Sequence, residues 1–205
     1  MTDDLPRCFG TGDPLMTAYH DLEWGVPVRD DQALFEKLVL DSFQAGLSWR
    51  TILYKRDNFR RAFHGFDPTR IAGYGPRDIE RLMRDAGIVR NRLKIEAAIG
   101  NARTYLQLRE SRSSFSDYLW GFTEQRVFRG PPSRSWKTVP TRTVLSDAMA
   151  KDLKALGFRF VGTTICYAFM QAVGMVDDHL TTCHRYCPDD RPPARRGRSA
   201  SRPKE

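Results

Sequence analysis

Residues 85–95 read DAGIVRNRLKI. Upstream, Pro76 is placed to open a helix through the ERLMRDA run, and Gly87 closes it. After a short turn, a second and longer helix begins near Asn91 and extends to about Arg109. Helix, tight turn and helix make a helix–hairpin–helix pattern. Backbone N–H groups exposed at such a turn bind phosphate well, and Arg90, Arg92 and Lys94 add positive charge beside Gly87. Contacts of this kind hold a duplex without reading its sequence. The competing reading of these residues alone is an ordinary helical connection with solvated arginines.

The segments on either side are also helical. Asp13-Pro14 is an N-cap followed by a first-turn proline, predicting a helix through about Glu23. Residues 31–41 carry apolar side chains at helical spacing. Gly46 ends that run, and Ser48 caps a new helix through Arg56. Further helices are predicted over 115–122, over 144–156 with Gly157 as the stop, and over 163–173, capped by Thr163 and closed by Gly174. Period-two alternation is scarce, so the fold class is all-α. Residues 128–142, FRGPPSRSWKTVPTR, read as an irregular loop. Residues 1–188 are expected to form one helical domain. Residues 189–205 carry six basic and three acidic residues with nothing to bury, so a disordered basic tail is expected.

The chain has 205 residues, 40% of them hydrophobic, with a net charge of +8. That excess points to a polyanionic partner, nucleic acid before membrane. No apolar run approaches the ~20 residues that a membrane span requires. MTDDLPR lacks the charged-then-apolar pattern of a signal peptide. A soluble cytoplasmic protein is expected, and its cysteines (Cys8, Cys166, Cys183 and Cys187) are thiols or metal ligands rather than disulfides.

Two features interrupt this plain helical pattern. Leu34, Leu38 and Asp41 fall at i, i+4 and i+7, so the third position of an apolar stripe is a carboxylate. It also lies near a helix C-terminus, where an acid is disfavoured by a few tenths to ~1 kcal/mol. Either a slight rotation turns Asp41 outward, or it hydrogen-bonds nearby backbone, or it waits for a cationic ligand. Trp49 follows eight residues later, and the intervening GLS turn can bring both side chains to the rim of one pocket. The second feature is a set of metal-ligand types. Cys8 and His20 lie near one end of the chain; His179 and Cys183, at i and i+4, lie near the other. Two cysteines and two histidines make a closed tetrahedral zinc site, structural rather than catalytic. Buried apolar cysteines with unrelated histidines remain the alternative, since Cys8-x11-His20 is no standard finger spacing. Cys166 and Met170 belong to a core helix.

Together these segments are similar to the DNA-3-methyladenine glycosylase I family. The resemblance is carried by DPLMTAYHDLEWGVPV, FQAGLSW, FHGFDP, DAGIVRNRLKIEAAIGNARTYL and GFRFVGTTICYAFMQAVGMVDDH. It implies a helix–hairpin–helix DNA glycosylase fold with zinc pinning the N- and C-terminal regions through Cys8, His20, His179 and Cys183. It implies hydrolytic excision of 3-methyladenine from alkylated double-stranded DNA, without a strand-cleaving lyase step and by a monomer. The family's base pocket falls on Tyr19 and Trp49, with Trp24 close by. Phe9 stands where a tryptophan is common, Met16 where a tyrosine is, and Asp41 where the base-reading acid is commonly glutamate. Alkylation at N3 makes the base cationic and a good leaving group, so the task is extraction and discrimination. The base is expected to flip into a pocket at the 41–49 turn. There Trp49 stacks on the cationic ring, worth up to ~2 kcal/mol when desolvated. Asp41 complements the charge, and Tyr19 offers its hydroxyl. Leu47 or Gln44 is the candidate plug for the hole left in the duplex. The rival reading is a non-catalytic, zinc-stabilised binder of damaged DNA.

Overall fold

The computed structural model describes residues 5–111 and 114–188; the tail expected over 189–205 lies outside them. Its helices are α1 (Pro14–Leu22), α2 (Asp31–Gln44), α3 (Trp49–Ala62), α4 (Pro68–Ala72), α5 (Pro76–Arg84), α6 (Arg92–Ser111), α7 (Phe115–Trp120), α8 (Val144–Leu156) and α9 (Thr163–Ala172). Short 3-10 turns at His64–Phe66 and Gly121–Thr123 interrupt the series. Two two-residue strands, β1 (Phe128–Arg129) and β2 (Val176–Asp177), pair in parallel with Phe128 opposite Val176. Among the described residues, no helix is long and apolar enough to cross a membrane.

Helix α2 is the axis of the molecule. Asp30 caps it by accepting from the Ala33 amide at 2.8 Å. Leu34, Phe35, Leu38, Val39, Leu40 and Phe43 are all buried, so the helix is covered on several faces rather than on one stripe. Each such side chain contributes about 1.5–3 kcal/mol by leaving water. Helices α3, α6, α7 and α9 pack around it. Its first residue also fixes α7: the Asp31 carboxylate accepts from the Phe115 and Ser116 amides at 3.1 and 2.8 Å, an anion at a helix N-terminus. At the other end, Lys94 of α6 donates to the carbonyls of Phe43 and Ala45 at 2.9 and 2.5 Å, satisfying acceptors that no helical N–H can reach.

A smaller apolar cluster joins distant parts of the sequence: Cys8, Tyr19, Trp24, Leu53, Ala172, Leu180 and Cys183, with Phe9, Met16 and Trp49 against it. The β1–β2 pairing brings the 128–142 loop to this cluster, where Trp136 Nε1 donates to the Cys8 carbonyl at 2.8 Å.

Several expected boundaries move. α2 continues three residues past Asp41, and α3 runs to Ala62 instead of Arg56. α5 stops at Arg84, because Asp85 is already extended and its carboxylate holds the Gly87 amide at 2.7 Å. The N-cap of α9 is Gly162, not Thr163; the Thr163 hydroxyl is turned to Asp147 and Ser146 of α8. Gly174 does close α9, at φ +72°. A β-carbon there would lie 2.5 Å from the Pro27 nitrogen, so α9 can meet the 25–27 backbone only through a glycine.

Candidate active site

The residues singled out around positions 9–49 converge on one cavity of about 200 Å³. Helix α1 supplies Tyr19 and Met16, the loop after it Trp24, and the N-terminal segment Phe9. The last turn of α2 supplies Asp41 and Gln44, and the first residue of α3 supplies Trp49. Helix α9 closes the floor with Ala168, Gln171 and Ala172. The aromatic rings form a continuous wall. Tyr19 and Trp49 lie 5.2 Å apart between centroids, and Phe9 meets Trp24 edge-on at 5.3 Å. The turn holding Asp41 and Trp49 together depends on Gly46 at φ +77° and on Ser48, whose hydroxyl accepts from the Thr51 amide at 3.2 Å.

Asp41 is fully buried, so it does not rotate outward. Nor is it held by backbone. One carboxylate oxygen takes the ammonium of Lys37, one turn back on the same helix, while Oδ2 is buried with no partner. Lys37 Nζ also lies 3.8 Å from the centroid of the Trp49 ring. Burial raises the Asp41 pKa, and the Lys37 ammonium opposes the rise. Burial lowers Lys37, and Asp41 opposes that fall. Burial and the nearby Asp41 charge raise Tyr19 well above the ordinary phenol range, so its hydroxyl keeps its proton. Trp49 Nε1 is a second buried polar atom without a partner. A pocket with an apolar wall, one orphan acceptor and one orphan donor is built for a flat ligand with a polar edge.

Lys37 escaped the reading of the sequence. Its i, i+4 relation to Asp41 was the available signal, although Lys preceding Asp is the less favourable order on an isolated helix.

Beside this pocket, Cys8 Sγ, His20 Nε2 and Cys183 Sγ lie within 4.8 Å of one another. Amides of Leu180 and Arg185 point at the two sulfurs, at 3.3 and 3.4 Å. Each histidine ring is fixed through Nδ1: His20 by Asp21 at 2.8 Å and His179 by Asp177 at 2.7 Å. His179 Nε2 stays buried and unpartnered. Its ring is seated against Gly25, where a β-carbon would fall 2.7 Å from Cε1. Burial pushes the Cys8 thiol up to about 12, so a thiolate here requires a cation. Two sulfurs and the His20 nitrogen suit a metal ion, with a carboxylate behind the ring; His179 Nε2, the fourth expected ligand, is not among the atoms that lie within 4.8 Å of one another. His184 instead shares Asp21 with His20, and Cys187 is exposed. The two sites touch, for Trp24 packs on His179 at 4.6 Å and Phe9 on His20 at 5.0 Å.

The residues expected to meet DNA divide. Leu47 is 42% exposed on the tip of the turn, whereas Gln44 is half-buried and lines the pocket. Gly87 lies where a β-carbon would press on Asp85 and Asn58. Arg90 and Arg92 are exposed, Arg92 with Glu96 at 3.8 Å. Lys94 is a correction. It is 7% exposed and its ammonium is spent on the α2 carbonyls, so it does not face phosphate. Replacing Lys94 by methionine will lower stability by about 1–3 kcal/mol, since two buried carbonyls lose their donor. Thermal melting will register this, and the salt dependence of DNA binding will not change.

This fold is shared with solved 3-methyladenine DNA glycosylases. A crystal structure of 3-methyladenine DNA glycosylase I superposes with a TM-score of 0.86 at 50% identity, covering 89% of this chain and all of that one. A tyrosine-to-phenylalanine variant of 3-methyladenine DNA glycosylase I in complex with 3-methyladenine superposes with a TM-score of 0.82 at 37% identity, covering 86% and 95% of the two chains. DNA-3-methyladenine glycosylase 1 of Escherichia coli is 51% identical over 189 residues, spanning 92% of this chain and all of its own. Residues 9–186 match the methyladenine glycosylase family model, and the chain belongs to that family.

Proposed function

We propose that this protein is a base-excision glycosylase that flips 3-methyladenine out of alkylated double-stranded DNA and hydrolyses its bond to deoxyribose, leaving an abasic site. Family membership supplies the reaction class. The observation that carries the residue assignment is that Asp41 and Trp49, each with a buried side-chain polar atom lacking a partner, line one aromatic cavity.

Excision of a cationic base needs little acid catalysis, because the positive charge already weakens the glycosidic bond. The protein's work is to hold the extruded base and to reject adenine. The Trp49 face stacks on the ring. Asp41 accepts from the amino edge and balances the charge, and the protonated Tyr19 hydroxyl bounds the same edge. Neutral adenine brings no charge to a buried carboxylate, and that difference is the basis of selection. Leu47, at the exposed tip, enters the gap in the duplex. The α5–α6 pair acts as a helix–hairpin–helix element, with the backbone around Gly87 and the side chains of Arg90 and Arg92 on phosphates. A zinc ion held by Cys8, His20, His179 and Cys183 ties the two ends of the sequence together; with four protein ligands it has no open position for water. We take the enzyme to be a cytoplasmic monomer.

The test is direct. Purified protein is incubated with methylated DNA, and the released bases are separated by chromatography. Free 3-methyladenine above a protein-free blank is expected, and its absence overturns the assignment. The DNA-facing roles have their own measurement. Arg90→Ala with Arg92→Ala will weaken binding to undamaged duplex. The slope of log K against log salt will fall by about 0.9 for each phosphate that is no longer neutralised. An unchanged slope would remove both arginines from the interface.

A further inference from the structure

Lys37 stands where a cationic base would have to go. Its ammonium is paired with Asp41 and lies 3.8 Å above the Trp49 ring. These are the two groups assigned to charge recognition, so the protein's own cation already balances the Asp41 charge and covers the Trp49 face, while Asp41 Oδ2 and Trp49 Nε1 stay unpartnered. Both cations cannot be held at once without placing two positive charges on one carboxylate.

Resting on the function proposed above, we propose that Lys37 is a specificity-determining residue: an internal stand-in for the lesion that leaves the Trp49 face only when another cation replaces it. The side chain has somewhere to go. Lys37 also lines a second cavity of about 140 Å³, together with the Glu23–Arg56 and Glu36–Arg60 ion pairs. Glu23 and Arg60 are exposed, so an ammonium withdrawn toward them regains water. Exchange of one cation for another leaves Asp41 compensated throughout. A neutral purine that pushed Lys37 aside would strand a buried carboxylate, and one that left it in place would find the ring face occupied. Lys37 thus converts a preference for positive charge into a requirement for it.

The experiment uses the intact protein and 3,9-dimethyladeninium, a permanently cationic stand-in for the alkylated base, with 9-methyladenine as the neutral control. Lysine carrying 13C at Cε reports on position 37, because protons above an indole ring resonate upfield; Lys37→Met assigns the signal. The Trp49 indole N–H signal reports pocket occupancy. Saturation with the cation is expected to return the Lys37 methylene signal to the ordinary lysine position, while 9-methyladenine leaves it upfield. If the cation occupies the pocket and the Lys37 signal stays upfield, the exchange is overturned while the glycosylase reading stands. If the cation does not bind and methylated DNA yields no free base, both are overturned. In Lys37→Met, buried Asp41 can take up a proton, so the cation-over-neutral affinity ratio should fall about tenfold. An unchanged ratio in a folded variant overturns the assignment.

Discussion

Asp41→Asn will slow single-turnover release of 3-methyladenine from methylated DNA by at least about thirtyfold. Removing one charged partner from a buried pair costs about 2–5 kcal/mol of interaction. At 1.4 kcal/mol per factor of ten, that spans thirtyfold to several thousandfold. Asparagine keeps the size of the side chain and one acceptor, so the loss isolates the charge. The substitution has a second effect that must be separated from the first. Lys37 would keep a buried ammonium without its anion, and a broken buried pair typically costs about 3–5 kcal/mol of stability. Pairing the change with Lys37→Met removes that burden. The double variant should melt closer to the parent and still fail to release base. Chromatography of released bases and thermal melting, on the same preparations, distinguish a dead pocket from an unfolded one. Comparable release by folded Asp41→Asn would show that the carboxylate is not what reads the lesion.

On the zinc assignment proposed above, Cys183→Ser is expected to lose the metal and lower the melting temperature by on the order of 10 °C. The size follows from where the cluster sits. The main core, around α2, does not depend on it. The smaller cluster of Cys8, Tyr19, Trp24 and Leu180 has Cys183 among its members. Losing about 3–5 kcal/mol there shifts the midpoint by about 2–4 °C per kcal/mol in a chain of this size. Activity should fall with stability, because Trp24 and Phe9 rest on the imidazoles of His179 and His20. Metal content per chain after dialysis, measured by atomic absorption, is the first readout. Cys187→Ser is the control and should keep its full complement, since that residue is exposed and outside the cluster. A full complement in Cys183→Ser would mean that another residue completes the site.

The helices were readable because their punctuation is local. Asp13-Pro14, Ser48, Gly157 and Gly174 act through bonds to backbone within a few residues, and each lies at the expected helix end. Helix α4 and the 3-10 turn before it were missed, because both are shorter than any periodic pattern can reveal. The parallel β1–β2 pairing joins residues 48 positions apart in sequence, beyond local reading. At the site, residue types pointed to the Cys/His set and to Tyr19, Asp41 and Trp49. The state of Asp41 was not legible, since its burial comes from α1, α3 and α9 together. Lys94 was misjudged for the same reason. A lysine beside two arginines looks like a phosphate ligand, until the C-terminus of a helix fifty residues earlier claims its ammonium.

The Cys8–His20–Cys183 cluster couples position 8 to position 183, and this bears on how the enzyme is made. During synthesis Phe9, Tyr19 and Trp24 leave the ribosome early, but the segment that completes their surroundings follows some ten seconds or more later, at roughly 5–20 residues per second. Through that interval the aromatic wall lacks its backing, and the nascent chain is open to mispairing. Translation must run past α9 to position 183 before a catalyst exists, so a ribosome that stalls late in the message leaves a sticky fragment rather than a weakened enzyme.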